Sequence, residues 1–222
     1  MIGFYRKRKF ADAEFPSIAQ VESYWNTLKD PQALPPRHAI DPGEIAKSLP
    51  NAFILERVSD QNTRFRVAGS KVSDVLGMDL RGMPITSLIA PDDRTLFSEI
   101  VEDMFRMPAS ARLHLHWSKA ETSAPIGQLL ILPLTDQNGK CARAIGCLEY
   151  KGRKPKHPNR FYLSGSVVRQ IPMNTGKRKP IQDLSPVISP ALHLVASNDK
   201  LKKTPQTVQE TQHELPKLHV VK

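Results

Sequence analysis

Short runs of alternating apolar and polar residues surround one helical segment between residues 51 and 150. The first two runs, 52–58 and 63–67, read as strands because they are rich in β-branched and aromatic residues. The residues between them, 59–62, are Ser-Asp-Gln-Asn, which favour a turn. The pattern therefore predicts an antiparallel hairpin at the start of this region.

A second hairpin is predicted at the end of the same region. Residues 127–135 and 140–150 form two apolar-rich runs, and the Asn138-Gly139 pair between them favours a tight turn. Residues 112–117 precede them as a further strand. These runs together predict a five-stranded antiparallel sheet.

The helical segment lies between the two hairpins. It begins at Pro91 and ends before Pro108, and its apolar residues recur at helical spacing at Leu96, Phe97, Ile100, Val101, Met104 and Phe105. A shorter helix is predicted from Ser70 to the glycine stop at Gly77. The order of elements predicts an α+β fold with helices on one face of the sheet.

The run 129–132 is Leu-Leu-Ile-Leu, which is apolar on both faces and must be covered on both sides. A helix over 18–29 is the first candidate for the second cover, with Ser17 and Gln20 as its capping box. Its apolar stripe consists of Ile18, Val21, Trp25 and Leu28. The alternative is the same helix from a second subunit, which would make the protein a homodimer through this stripe.

Charge divides the chain. Residues 151–222 contain 14 Lys and Arg against 4 Asp and Glu, so the whole formal net charge of +10 lies there. We predict a basic arm at 1–16, the helix and a proline-rich connector at 17–50, the folded domain at 51–150 and a basic, largely disordered tail at 151–222. Within that tail, residues 164–171 are apolar enough to add a short strand or to dock on the domain.

Several functional classes are disfavoured by what the sequence lacks. It has no run of about 18 apolar residues and no secretory leader, which indicates a cytoplasmic protein. It has no nucleophile elbow, no cysteine–histidine signature and no phosphate-binding glycine loop, so we expect no enzymatic activity. Cys141 and Cys147 would lie roughly 20 Å apart on one strand, too far for a disulfide, so we expect reduced thiols.

His114 and His116 are the one pair with metal-ligand spacing. On a strand their side chains share a face about 6–7 Å apart, but a metal needs a third ligand from elsewhere. We interpret them as a solvated polar face beside Arg112 and predict no metal site.

The order of elements resembles a PAS domain, a five-stranded antiparallel sheet with helices on one face. Four segments are similar to a short PAS-like family common in alphaproteobacteria, many of whose members have no catalytic domain. These segments are 34–44, 49–56, 65–69 and 80–82. The resemblance covers roughly residues 17–150.

The resemblance implies a possible ligand cavity but identifies no cofactor. Haem is not supported because the long helix over 91–107 has no histidine, and flavin is not supported because no cysteine precedes Cys141. The pocket candidates are Phe53, Leu55, Phe65, Val67, Leu76, Leu88, Phe97, Ile100, Leu113, Leu115 and Trp117. Core filling is the alternative role for the same residues.

The function implied is that of a sensory or interaction module, a cytoplasmic signalling regulator that responds to a ligand or a partner. Its partners would be a kinase, a cyclase or a transcription regulator. The alternative is a nucleic-acid-binding regulator that uses the basic tail, because clustered cations release counterions from phosphate backbones. We rank this second because the tail interleaves few aromatic residues for base stacking.

Overall fold

The computed structural model describes residues 14–30, 33–118, 126–152 and 159–172. The predicted basic arm, apart from its last residues, and the tail beyond residue 172 lie outside this part. The helices and strands are α1 Pro16–Leu28, β1 Ala52–Ser59, β2 Asn62–Ala68, α2 Ser70–Leu76, α3 Arg94–Arg106, β3 Ala109–His116, β4 Gly127–Thr135, β5 Cys141–Tyr150 and β6 Tyr162–Gln170. Short 3-10 helices lie at Arg37–Ala39, Pro42–Asn51, Ile85–Leu88 and Pro91–Asp93.

All strands form one antiparallel sheet in the order β2-β1-β5-β4-β3-β6. Both predicted hairpins are present, which confirms the α+β fold. The sheet has one strand more than the five predicted. β6 comes from the region assigned to the tail and pairs with β3 along its whole length, so the segment 164–171 does join the sheet.

The inner face of the sheet carries the larger core. α2, α3 and the 3-10 segments between them pack on this face, and the buried residues there include Phe97 of α3, Leu113 of β3 and Leu129 of β4. We call this set the inner cluster. It arises because the wide apolar face of α3 meets every second residue of the strands.

The outer face of the sheet is covered by α1. Ile18, Val21 and Trp25 pack with Leu130 and Leu132 of β4, and we call this set the outer cluster. The prediction that the 129–132 run is covered on both sides, with this helix as the second cover, is confirmed.

The capping box predicted for α1 is wrong. Phe15 is the N-cap residue and makes no side-chain cap. The backbone N–H of Ser17 instead donates to the Glu149 carboxylate at 2.8 Å, and Gln20 turns away to accept a hydrogen bond from the Ser48 hydroxyl. A carboxylate brought in by the sheet has replaced the local cap, because it accepts from the N–H groups of Ser17 and Ile18 and carries a full charge.

Two other helix starts depend on local contacts. Asp41 accepts from the Gly43 N–H at 2.8 Å at the start of the 3-10 helix Pro42–Asn51. Ser70 is the first residue of α2 and not its cap; Gly69 occupies the cap position. A Cβ on Gly69 would lie 2.2 Å from the Leu49 carbonyl oxygen, so this close approach of two backbones requires glycine.

Candidate functional site

α1 is fixed to the outer face by polar contacts near both its ends as well as by its apolar stripe. At the N-terminus, Glu149 of β5 accepts from Ser17. Toward the C-terminus, the Trp25 indole N–H donates to the Pro133 carbonyl oxygen at 3.1 Å. Between them, Glu22 forms an ion pair with Arg112 of β3. The helix therefore docks in one register on the sheet.

The stripe proposed as a dimer surface is used within the chain. Ile18, Val21 and Trp25 are at most 3% exposed, and Leu28 packs beside them partly buried. While α1 is docked, Ile18, Val21 and Trp25 have no free surface for a second subunit. The structure thus corrects their assignment as partner-helix residues, whereas the homodimer itself stays a prediction.

The proposed pocket residues fill the inner cluster. Eight of them are buried there and Ile100 and Trp117 pack partly buried against it; the eight are Phe53, Leu55, Phe65, Leu76, Leu88, Phe97, Leu113 and Leu115. One cavity of about 10 Å³ beside Glu102 and one open groove of about 530 Å³ on the outer side are lined by none of them. In this structure their role is core filling.

Val67 is the one pocket candidate that the structure places elsewhere. Its side chain is 49% exposed. The pairing of β1 with β2 shifts by one residue, since Ile54 opposes Val67 but Leu55 opposes Phe65. Such a bulge turns the following side chain out of the alternation, and Val67 moves off the inner face.

Three aromatic residues meet at one end of the inner face. The rings of Trp117 and Phe161 stack at 4.1 Å, and Tyr150 contacts Trp117 edge-on at 5.5 Å. Sequence reasoning missed Tyr150 and Phe161; the signal available was a lone aromatic pair, Phe161 and Tyr162, in an otherwise polar basic segment. We call Trp117, Tyr150 and Phe161 the aromatic trio.

The aromatic trio carries polar groups at a buried position. The Trp117 indole nitrogen is buried and has no hydrogen-bond partner among the residues that the structure describes. Burial, together with the nearby Asp74 carboxylate, raises the pKa of Tyr150, so its hydroxyl stays protonated. An indole donor without an acceptor costs free energy.

The two histidines are buried, which corrects the prediction of a solvated face. His114 is 8% and His116 3% exposed, because β6 extends the sheet beside β3. Burial, with smaller contributions from the Arg112 and His116 charges, lowers the pKa of His114 and favours its neutral form. Within the described part of the chain, no group of three His, Cys, Asp or Glu side chains is placed to hold a metal ion.

The cysteine thiols and the lengths of the helices also bear on the sequence-based predictions. Burial raises the pKa of Cys141 to about 11 and raises that of Cys147 further, and both thiols are free. Across the described ranges, no helix is long and apolar enough to span a bilayer.

Comparison with known families identifies the class. The PAS domain family model matches residues 13–149, which is more than half of the chain. The chain therefore belongs to the PAS domain family. The match begins just before α1 and ends within β5, so α1 is included and β6 is not.

Several solved structures are similar to this chain at low sequence identity. A light-oxygen-voltage domain studied with a flavin analogue is 16% identical, with 50% of this chain and 84% of that chain covered and a TM-score of 0.38. A sensory box sensor histidine kinase from Vibrio cholerae is 14% identical, with 63% and 99% covered and a TM-score of 0.35. A Vibrio cholerae VqmA dimer is 18% identical, with 51% and 53% covered and a TM-score of 0.36. No curated protein matches the chain.

Proposed function

We propose that the chain is a non-enzymatic PAS-type sensory and interaction module, a cytoplasmic signalling regulator that works through ligand- or partner-dependent protein contacts. The observation that carries this proposal is the docking of α1 on the outer face of a PAS sheet by a small set of separable polar contacts. The partner would be a kinase, a cyclase or a transcription regulator.

The working mechanism is an equilibrium between docked and released α1. Release would uncover Leu130, Leu132 and Ile145, which the helix buries in the outer cluster. A partner, or a second copy of the chain, shifts this equilibrium only if it binds the released state more tightly than the docked state. The uncovered strands offer such a partner an apolar surface.

The end of β5 supplies a route between the two faces. Glu149 holds the N-terminus of α1 on the outer face, and the next residue, Tyr150, belongs to the aromatic trio on the inner face. Neighbouring strand residues point to opposite faces. A ligand that moved Tyr150 would therefore act on the residue adjacent to the α1 contact.

Hydrogen exchange on the full chain tests the docking contact. Glu149→Ala removes the acceptor for the Ser17 N–H, and losing a helix cap costs about 1 kcal/mol, which is about a fivefold shift in the docking equilibrium. We expect faster exchange over residues 16–28 and unchanged exchange in α3. Glu99→Ala, at an exposed position of α3, is the matched control.

Native mass spectrometry of the same variants tests the signalling consequence. We expect a larger dimer fraction for Glu149→Ala than for the parent and for the control. When α1 is released, the uncovered outer faces of two copies can pack together. The same spectra show whether a small molecule is retained. If exchange in α1 rises but the dimer fraction and partner binding do not change, the released face is not the output surface and the proposal fails.

A further inference from the structure

A polar groove on the outer side of the sheet has no part in the docking of α1. It has a volume of about 530 Å³ and lies between the proline-rich connector, the β4–β5 turn and the adjoining strands β1 and β5. Its lining residues are Arg37, Glu56, Asp136, Gln137, Asn138 and Arg143.

The charges in and beside the groove do not balance. Glu56 is the single carboxylate shared by the guanidinium groups of Arg143, at 2.5 Å, and Arg66. Asp136 uses one carboxylate oxygen to accept from two backbone N–H groups of its own turn. The half-buried Arg37 accepts from the Ile40 N–H through its carbonyl oxygen, but its guanidinium makes no hydrogen bond or ion pair with any residue in the described ranges. The lining itself holds two guanidinium groups and two carboxylates, and Arg66 beside it adds a third guanidinium, so the excess is one positive charge.

Arg37 is held in place by its backbone. It begins a 3-10 turn directly after Pro35 and Pro36, and the Pro35 carbonyl oxygen accepts from the Thr135 N–H at 3.0 Å. On the other side of the turn, the Tyr24 hydroxyl of α1 donates to the Ala39 carbonyl oxygen at 3.2 Å. The backbone that carries Arg37 is thus in position before any ligand arrives, which lowers the entropic cost of binding.

We propose that this groove docks an acidic, extended segment of a partner protein. A carboxylate from that segment matches the planar donor pair of Arg37, and the exposed amides of Gln137 and Asn138 supply further hydrogen bonds at the rim. A small metabolite is disfavoured because such ligands prefer enclosed, mostly apolar pockets. A nucleic acid is disfavoured because no aromatic side chain lines the groove for stacking.

The inference names the partner chemistry for the proposed function, but the docking step does not depend on α1 release. Binding in the groove is read from the Lys140 cross-link and the docking of α1 from hydrogen exchange over residues 16–28, so a failure here is distinguishable from a failure of the helix mechanism.

Zero-length carbodiimide cross-linking with a ten-residue polyglutamate peptide tests the site in the full chain. Lys140, in the turn that forms the rim, reports the groove, and the exposed Lys47 and Lys71 report unspecific capture. At 0.15 M salt we expect a Lys140 cross-link yield several-fold above those two lysines. Arg37→Glu should reduce this yield at least fivefold.

Arg81→Glu is the matched control, because it makes the same charge change at an exposed position outside the groove. Cross-links to lysines of the basic tail provide an internal reference and should change equally in both variants. An unaltered Lys140 yield in Arg37→Glu, with the fold intact by circular dichroism, overturns the proposal. Protection of Lys140 by a ten-nucleotide oligothymidylate but not by the peptide also overturns it, in favour of nucleic acid.

Discussion

Glu102 of α3 is a buried carboxylate that ties this helix to the first hairpin. It is 4% exposed and accepts from the Arg57 guanidinium at 2.5 and 3.1 Å and from the Gln61 N–H at 3.0 Å. Arg106 of the same helix adds a contact at 3.1 Å. Gln61 has a positive φ of 55°, a strained conformation for a residue with a side chain, and its hydrogen bond to Glu102 helps hold it there.

These contacts lower the pKa of Glu102 from 4.5 to about 2. The hydrogen bond from Arg57 is the main cause, and burial acts in the opposite direction. Because the folded pKa is below the unfolded value, the ionised carboxylate stabilises the fold above pH 4.5, and this contribution is lost as the pH falls toward 2. The shift corresponds to about 3 kcal/mol, of which about 2 kcal/mol is lost between pH 6 and pH 3.

Glu102→Gln keeps the shape and removes the charge. We expect its free energy of unfolding, from urea titration, to be about 3 kcal/mol below that of the parent at pH 6 and only about 1 kcal/mol below it at pH 3. Glu99→Gln, exposed on the same helix, should follow the parent at every pH. If the difference in free energy of unfolding between Glu102→Gln and the parent is the same at both pH values, the stabilisation does not come from the charge of Glu102.

Three further changes test the packing of the sheet. Trp25→Phe removes the indole donor to Pro133, and we expect a loss of about 1 to 2 kcal/mol in urea titration; a parent-like midpoint contradicts this. Gly146→Ala puts a Cβ 2.2 Å from the Phe53 ring, so a lower melting temperature, equivalent to about 1 to 3 kcal/mol, is expected; an unchanged melting temperature would show that the ring relaxes freely. Because burial raises its pKa, Cys147 should react with a thiol reagent at pH 8 only after unfolding, and rapid labelling of native protein, located by mass spectrometry, argues against this burial.

The sequence was sufficient for the elements whose signals are local. The Asn138-Gly139 turn, the wide apolar face of α3 and the alternation in the first hairpin are set by residues within a few positions of one another. The sequence also predicted that the outer face of the sheet is covered, because a strand that is apolar on both faces is not stable with either face in water. Of the candidate site, the sequence therefore predicted one part, the apolar stripe of α1 on the outer face of the sheet.

The rest depended on contacts between distant residues. Glu149 replaces the local cap of α1 from 132 positions away, and no nearby pattern distinguishes it from other acidic residues. Val67 leaves the inner face because of one bulge in the pairing. The burial of His114 follows from β6, whose sequence predicts a strand or a docked segment but not its pairing with β3.

The sequence by itself thus determined which segments form strands and helices and which faces must be buried, because hydrophobic periodicity and turn chemistry act over a few residues. Only the tertiary structure decided what covers those faces, which carboxylate holds α1 and which side chains line the groove with Arg37. Those outcomes are set by the register of the sheet, which brings together groups that are far apart along the chain.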